Sequence, residues 1–295
     1  MNTICKFTDI DTYLLYYLDI KTVLALAKIS KDQNKLMLKL DYIKQLCEYE
    51  GKRRYIGIIE YAAQNNYLSL IKWIDQSVNK FKYSEYAIHS AAKNGHIEIL
   101  KWFANSQYKF DMWEWQYVLV KAAAGGCTDI LNWYVDSGYE FTYTKLAIDC
   151  ALTYGHVEVL EWFDKSKYEF EYTSTGINNA AKNGYVHVLE WISKSKYKFK
   201  YDEIAIDYAA RDGYVNILEW FDKSAYEFIY TKYAIDNSLI KHKLEILKWF
   251  DESKYQIKYS DYAIRRVLEK DCTDIYAYLG PNSRIIKILD QYAKK

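Results

Sequence analysis

Tryptophan returns in this chain at a fixed step. Trp73, Trp102, Trp133, Trp162, Trp191, Trp220 and Trp249 are separated by 29, 31, 29, 29, 29 and 29 residues, and one more step of 29 falls on Tyr278. The long step coincides with a two-residue insertion at Trp113 and Trp115. Other positions keep phase. Seven residues before the tryptophan stands Gly95, Gly126, Gly155, Gly184 or Gly213, replaced by Asn66, His242 and Asp271 in the first and last two copies. Ten and eleven residues before comes a small pair, as in Ala91-Ala92, Ala122-Ala123, Ala180-Ala181 and Ala209-Ala210. Eight residues after comes Phe81, Phe110, Phe141, Phe170, Phe199 or Phe228, then Ile257. Eight repeats can be counted. A unit this short cannot bury its apolar face alone, so the chain must stack its units and bury each face on the next.

The totals fit a stack. Lys+Arg number 40 and Asp+Glu 39, so no global field draws the chain to nucleic acid or membrane. Cys5, Cys47, Cys127, Cys150 and Cys272 are odd in number and scattered, which fits free thiols in a reducing compartment. No apolar run approaches the roughly 18 residues of a membrane span, and the first residues carry no signal-peptide core. The expectation is a soluble, intracellular, cytoplasmic protein. Pro281 is the only proline, so nothing breaks the helices before it.

The unit is clearest over 144–172. Thr144 occupies an N-cap position, as do Ser84, Thr173, Asp202, Thr231 and Ser260 in their copies. A first helix, A, runs through Leu146, Ala147, Ile148, Ala151 and Leu152, and Gly155 ends it in the left-handed region. A second helix, B, covers about Val157 to Asp164. It is apolar on most of its circumference, with Glu158, Glu161 and Asp164 as its polar stripe, and so is packed on several sides. The tryptophan column is therefore expected inside, between helices. After helix B, Tyr168, Phe170 and Tyr172 alternate with charged residues, the period of an extended connection.

Residues 1–50 lack the repeat register and read as short helices; 51–280 form the array; 281–295 form a terminal helix that shields the last repeat. In the first segment Leu14, Leu15, Leu18, Val23, Leu24, Leu26 and Ile29 make apolar stripes around a Tyr17-Leu18-Asp19 turn. These residues resemble an F-box, without that family's opening Leu-Pro. The resemblance implies docking to a Skp-type linker of a cullin–RING ubiquitin ligase. A plain helical cap on the array is the alternative.

The repeat core itself resembles a family. AAKNGHIEILKWF (91–103) and ALTYGHVEVLEWF (151–163) are similar to the ankyrin-repeat core, and Ser137-Gly138-Tyr139-Glu140-Phe141 is similar to the loop that follows it. Ankyrin repeats run about 33 residues with Thr-Pro-Leu-His before the alanines; this chain has a shorter period and no such proline. The missing residues fall in the finger between repeats. The resemblance implies an all-α solenoid of about eight helix-turn-helix units with shortened fingers, a non-catalytic scaffold that binds a protein on its inner curve. The whole chain resembles the short-repeat ankyrin proteins encoded by giant DNA viruses of amoebae, some with F-box-like starts, which implies the host cell cytoplasm.

No residues point to catalysis, cofactor or metal. His89, His96, His156, His187 and His242 never approach ligand spacing with a cysteine pair. His96 and His156 share one slot, where the resemblance implies hydrogen bonds between repeats, and His187 is expected to be exposed. Serines and glutamates recur in copies, whereas a reaction centre is singular. The surface that varies from copy to copy is a stripe on helix A, at 17, 13 and 9 residues before the tryptophan. Its candidate partner-binding residues are Glu85, His89 and Lys93; Lys145, Asp149 and Thr153; Asn178 and Lys182; Glu203, Asp207 and Arg211; Asp236; and Arg265. The alternative occupant is single-stranded RNA, suggested by Lys93, Lys182, Arg211 and the tyrosines. The mixed charge of the stripe argues against it. A monomer is expected.

Overall fold

The computed structural model describes residues 53–77, 84–108, 110–138, 145–270 and 272–294. Every regular element among them is a helix. The F-box-like residues Leu14, Leu15, Leu18, Val23, Leu24, Leu26 and Ile29 lie outside the described residues.

The chain divides into two compact units, Met1–Phe110 and Asp111–Lys295. The described part of the first holds α1 (Arg53–Gln64), α2 (Leu68–Ser77), α3 (Glu85–Lys93) and α4 (Ile97–Asn105). The second holds α5 (Met112–Ala124), α6 (Thr128–Asp136), α7 (Lys145–Tyr154), α8 (Val157–Lys165), α9 (Ser174–Lys182), α10 (Val186–Lys194), α11 (Glu203–Asp212) and α12 (Val215–Lys223). It continues through α13 (Lys232–Ile240), α14 (Leu244–Glu252), α15 (Asp261–Leu268), α16 (Thr273–Leu279) and α17 (Arg284–Ala293). In the second unit the odd-numbered A helices α5 to α15 form one layer and the even-numbered B helices the other, each packing on its neighbours in order. This is an ankyrin-like helical solenoid.

Local chemistry sets the boundaries. Thr173, Asp202, Thr231 and Ser260 each accept a backbone N–H of the first turn of their helix. Ser84 does not; its hydroxyl donates to Glu60 Oε1 at 2.6 Å. Gly213 ends α11 at φ +96°, in the left-handed region where a side chain is strained. Asn66 and His242 hold the same bend at φ 61° and 50°.

Small residues at the A-layer seam let successive A helices lie close. Ala147, Ile148, Ala151 and Leu152 of α7 are buried, as are Ala205, Ile206, Ala209 and Ala210 of α11. Each B helix from α6 to α14 contributes three buried residues, such as Val159, Leu160 and Phe163, and α16 contributes Ile275. Burying one such side chain stabilises by about 1.5–3 kcal/mol.

Trp115 is buried, but the ladder tryptophans with described side chains are not in this core. Trp102, Trp133, Trp162, Trp191, Trp220 and Trp249 are half-buried, and the interior position is the next residue: Phe103, Tyr134, Phe163, Ile192, Phe221 and Phe250. The indole needs an outlet for its N–H, and Trp162 Nε1 donates to Asn132 Oδ1 of the preceding repeat at 2.6 Å. The rings seal the outer seam. Trp220 and Trp249 stack on Phe199 and Phe228 of the repeat before, with centroids 5.6 and 5.3 Å apart. Each phenylalanine stacks in turn on Tyr226 or Tyr255, at 4.2 and 4.0 Å.

The connections after the B helices form no strands among the described residues. Side chains tie them instead. Tyr172 donates its hydroxyl to Lys198 O at 2.5 Å and Tyr201 to Glu227 O at 2.6 Å. Lys200 and Lys258 donate to Tyr172 O and Tyr230 O, both at 2.9 Å. Burial pushes the Tyr172 hydroxyl up to about 12.

At the far end α17 closes the stack with buried Ile285, Ile286 and Leu289. Arg284 seats it: its guanidinium donates to Asp251 O, Ser253 O and Tyr255 O at 2.8, 2.9 and 3.0 Å, and also to Phe250 O. These are carbonyls at the end of α14 and the loop after it.

Candidate functional site

The predicted stripe on the A helices is split by burial. Its middle position is mostly interior: His89, Asn178, Asp149 and Asp207 are only 4–8 % exposed, Asp236 is half-buried, and Arg265 alone is exposed. The polarity of Asp149, Asn178, Asp207 and Asp236 serves a latch between repeats. Asp149 accepts from Thr173 N and Thr173 Oγ1 at 2.9 and 2.8 Å. Asp207 does the same with Thr231, at 2.9 and 2.5 Å, and Asp236 accepts from Ser260 N at 2.8 Å. Burial pushes the Asp207 carboxyl up, opposed by the hydrogen bonds from Thr231. Where the cap is itself an acid, the latch is inverted. Asn178 Nδ2 donates to Asp202 Oδ1 at 2.8 Å, and Asp202 N donates back to Asn178 Oδ1 at 3.3 Å.

The flanking positions divide. Glu85 is half-buried; Lys145 and Glu203 are exposed, and Lys145 pairs with Glu171 at 2.6 Å. Lys93 is exposed and Thr153 half-buried, taking Asn179 Nδ2 at 3.3 Å. Lys182 and Arg211 are half-buried and flank the Tyr208 ring at 5.7 and 4.3 Å. Arg211 also grips Asp212 through Nε and Nη2 at 2.7 and 2.6 Å. That hydrogen bonding holds the Asp212 carboxyl below the usual carboxylate range and raises the guanidinium.

The exposed stripe lies one residue further along, a rotation of about 100° on an α-helix. It occupies 16, 12 and 8 residues before the tryptophan position. Its first position is an outward column that is mostly apolar: Tyr86 in the first unit, and Tyr117, Leu146, Thr175, Ile204, Tyr233 and Tyr262 in the second. Tyr262 is 69 % exposed, Leu146 47 %, Tyr233 41 % and Ile204 40 %. Leu146, grouped with the core of helix A on sequence, thus faces solvent. Trp113, 77 % exposed, extends the stripe one turn before Tyr117 on α5. The remaining positions in the second unit carry Lys121, Lys241, Arg266 and Lys270 against a single acid, Asp212. A sequence signal for this column existed: large apolar residues recur at one phase beside the buried Ala-Ile pair.

The histidines serve the stack. His96 Nε2 lies 3.0 Å from Gln64 O and His156 Nε2 3.1 Å from Ala124 O, both in the preceding repeat. His187, exposed as expected, reaches Gly155 O at 2.9 Å from two residues further along. His242 turns the other way, to Asp274 at 2.9 Å. Among the described residues no three His, Cys, Asp or Glu side chains gather where a metal could be held, and no helix is long and apolar enough to cross a membrane.

Residues 59–104 match the family of ankyrin repeats present in many copies. The matched stretch runs from within α1 to the end of α4. No curated protein matches the chain.

Proposed function

We propose, from this array of ankyrin-like repeats, that the chain is a non-catalytic scaffold that recognises a protein through the exposed stripe of its A helices. One observation carries the reading. Large apolar side chains stand outward at one phase on five of the six A helices from α5 to α15, Thr175 of α9 being the exception, where a solvated layer would carry polar ones. A photo-crosslinking residue placed at Tyr233 should capture a protein from a native lysate, while the same residue at Glu219, exposed on α12, should not. Capture from Glu219 alone, or from neither, would overturn the reading.

The F-box-like residues Leu14, Leu15, Leu18, Val23, Leu24, Leu26 and Ile29 support a narrower role. The first 40 residues dock a Skp-type ligase linker in the host cytoplasm and the solenoid presents the target. A pulldown comparing the full chain with one lacking residues 1–40 tests this. Ligase subunits recovered only with the full chain support the adaptor role, and equal recovery or none removes it.

A further inference from the structure

We infer that the exposed stripe of the second unit takes an extended, acidic polypeptide segment with an apolar side chain at every third residue. The inference rests on the protein-recognition reading and names the partner's chemistry.

Spacing comes first. Packed helices lie about 8–10 Å apart, so equivalent residues on neighbouring A helices recur at that step. Ile204, Tyr233 and Tyr262 form an uninterrupted run of such positions on α11, α13 and α15, all at least 40 % exposed. An extended polyproline-type chain advances about 3.1 Å per residue with three residues per turn, so its every third side chain returns at about 9 Å. The two periods match across several rows. A bound helix lying along the same line presents a side chain every 5.4 Å or so, and alternate turns would meet the gaps between rows.

Charge comes second. Most acids of this layer are engaged by the protein itself. Asp149, Asp207 and Asp236 hold latches, Asp212 is gripped by Arg211, and Asp261 accepts from the Tyr292 hydroxyl. Exposed cations stand beside the apolar column: Arg265 lies about one turn from Tyr262, and Lys241 and Lys270 lie about two turns from Tyr233 and Tyr262. Arg266 pairs with Glu269 at 3.6 Å, and Glu203 is the exposed acid beside Ile204. A near-neutral chain thus gathers exposed cations beside the apolar column on α13 and α15, within side-chain reach of carboxylates set between a ligand's apolar anchors. Nucleic acid fits less well. Leu146 and Ile204 offer no ring for base stacking, and the cations form no continuous track.

The test uses the full chain and a fluorescein-labelled peptide of repeated Leu-Glu-Pro, about 15 residues long, which spans about 46 Å or five rows. Two controls keep the composition or the spacing. One clusters the leucines, and the other replaces glutamate by lysine. The ordered acidic peptide should bind at least about tenfold tighter than either control, and added salt should weaken it. Tyr233→Glu, Tyr262→Glu and Lys241→Glu should each weaken it about tenfold while far-UV circular dichroism stays unchanged. Glu219→Lys on the B layer should leave binding intact. Equal binding of ordered and clustered peptides, no binding of either, or preference for a poly(U) oligonucleotide would overturn the inference. A protein crosslinked at Tyr233 through a helical or basic segment would overturn it too, yet leave the recognition reading standing. Loss of every crosslink from the A layer would remove both.

Discussion

Asp207 places a carboxylate in the interior, where its hydrogen bonds from Thr231 offset only part of the cost of burial. Its folded pKa is raised, so its contribution to stability is full below the unfolded value and is lost as pH rises through the folded one. Asp207→Asn keeps the bond from Thr231 N without the buried charge. The variant should stay within about 1 kcal/mol of the wild type near neutrality. From about pH 4 upward it should gain on the wild type as pH rises, until the folded carboxyl has ionised. Urea unfolding across that range reads both, and a wild type that gains instead would refute the account. Asp207→Ala, which leaves Thr231 unmatched, should cost about 1–3 kcal/mol. The tryptophan ladder gives a second contrast. Phe221 is 1 % exposed and its neighbour Trp220 is half-buried. Phe221→Ala should cost about 3–5 kcal/mol. Trp220→Ala loses ring stacking at a seam and should cost roughly 1–2 kcal/mol. Equal losses would put the indole back in the core. Aromatic periodicity showed that these rings join repeats; it could not show which side of the joint they occupy.

At the scale of the helix, the latch has a grammar: an acid on one helix faces a hydroxyl cap on the next, and an acid cap faces an amide. Asn178→Asp breaks it by setting two carboxylates where Asn178 and Asp202 now bond at 2.8 Å. That variant should lose stability near neutral pH and regain part of it on acidification, as the pair takes up a shared proton. Adding Asp202→Thr should restore the Asp149–Thr173 arrangement and most of the loss. Failure of the double variant to recover, in denaturant melts, would mean the pairing is incidental. Backbone grammar was easier to read. Gly155 and Gly213 announced the left-handed turns, since few other residues sit there. Gly213→Ala should therefore cost about 1 kcal/mol or more, measured by thermal unfolding, although there is room for the methyl group. The latch acids look like surface in the sequence because a polar residue on an amphipathic helix normally faces water. The clue was the joint variation of Asp149 with Thr173, Asn178 with Asp202 and Asp207 with Thr231, always 24 residues apart.

Taken whole, the second unit is coupled only from neighbour to neighbour, which makes stability a sum of repeats and junctions. The last junction is held by Arg284 on the carbonyls of α14 and the loop beyond it. Arg284→Ala should free the end of the stack first. Amide exchange should accelerate across α14 to α17 while α8 and α10 keep their protection. Uniform acceleration would instead mean that the unit opens all at once. The stack was legible from the period alone, because no other arrangement buries units so small. The outward apolar column was not, because its tyrosines look like core in any helical pattern.

The latches also say where such an array can be cut. Removing residues 174–202 takes out both halves of the Asn178–Asp202 pair and leaves Asp149 with Thr173 and Asp207 with Thr231. Removing 173–201, the same length begun one residue earlier, sets Asp149 against Asp202. Gain or loss of cassettes by recombination is thus tolerated only in certain frames, and a lineage that lengthens or shortens this chain is steered toward those breakpoints.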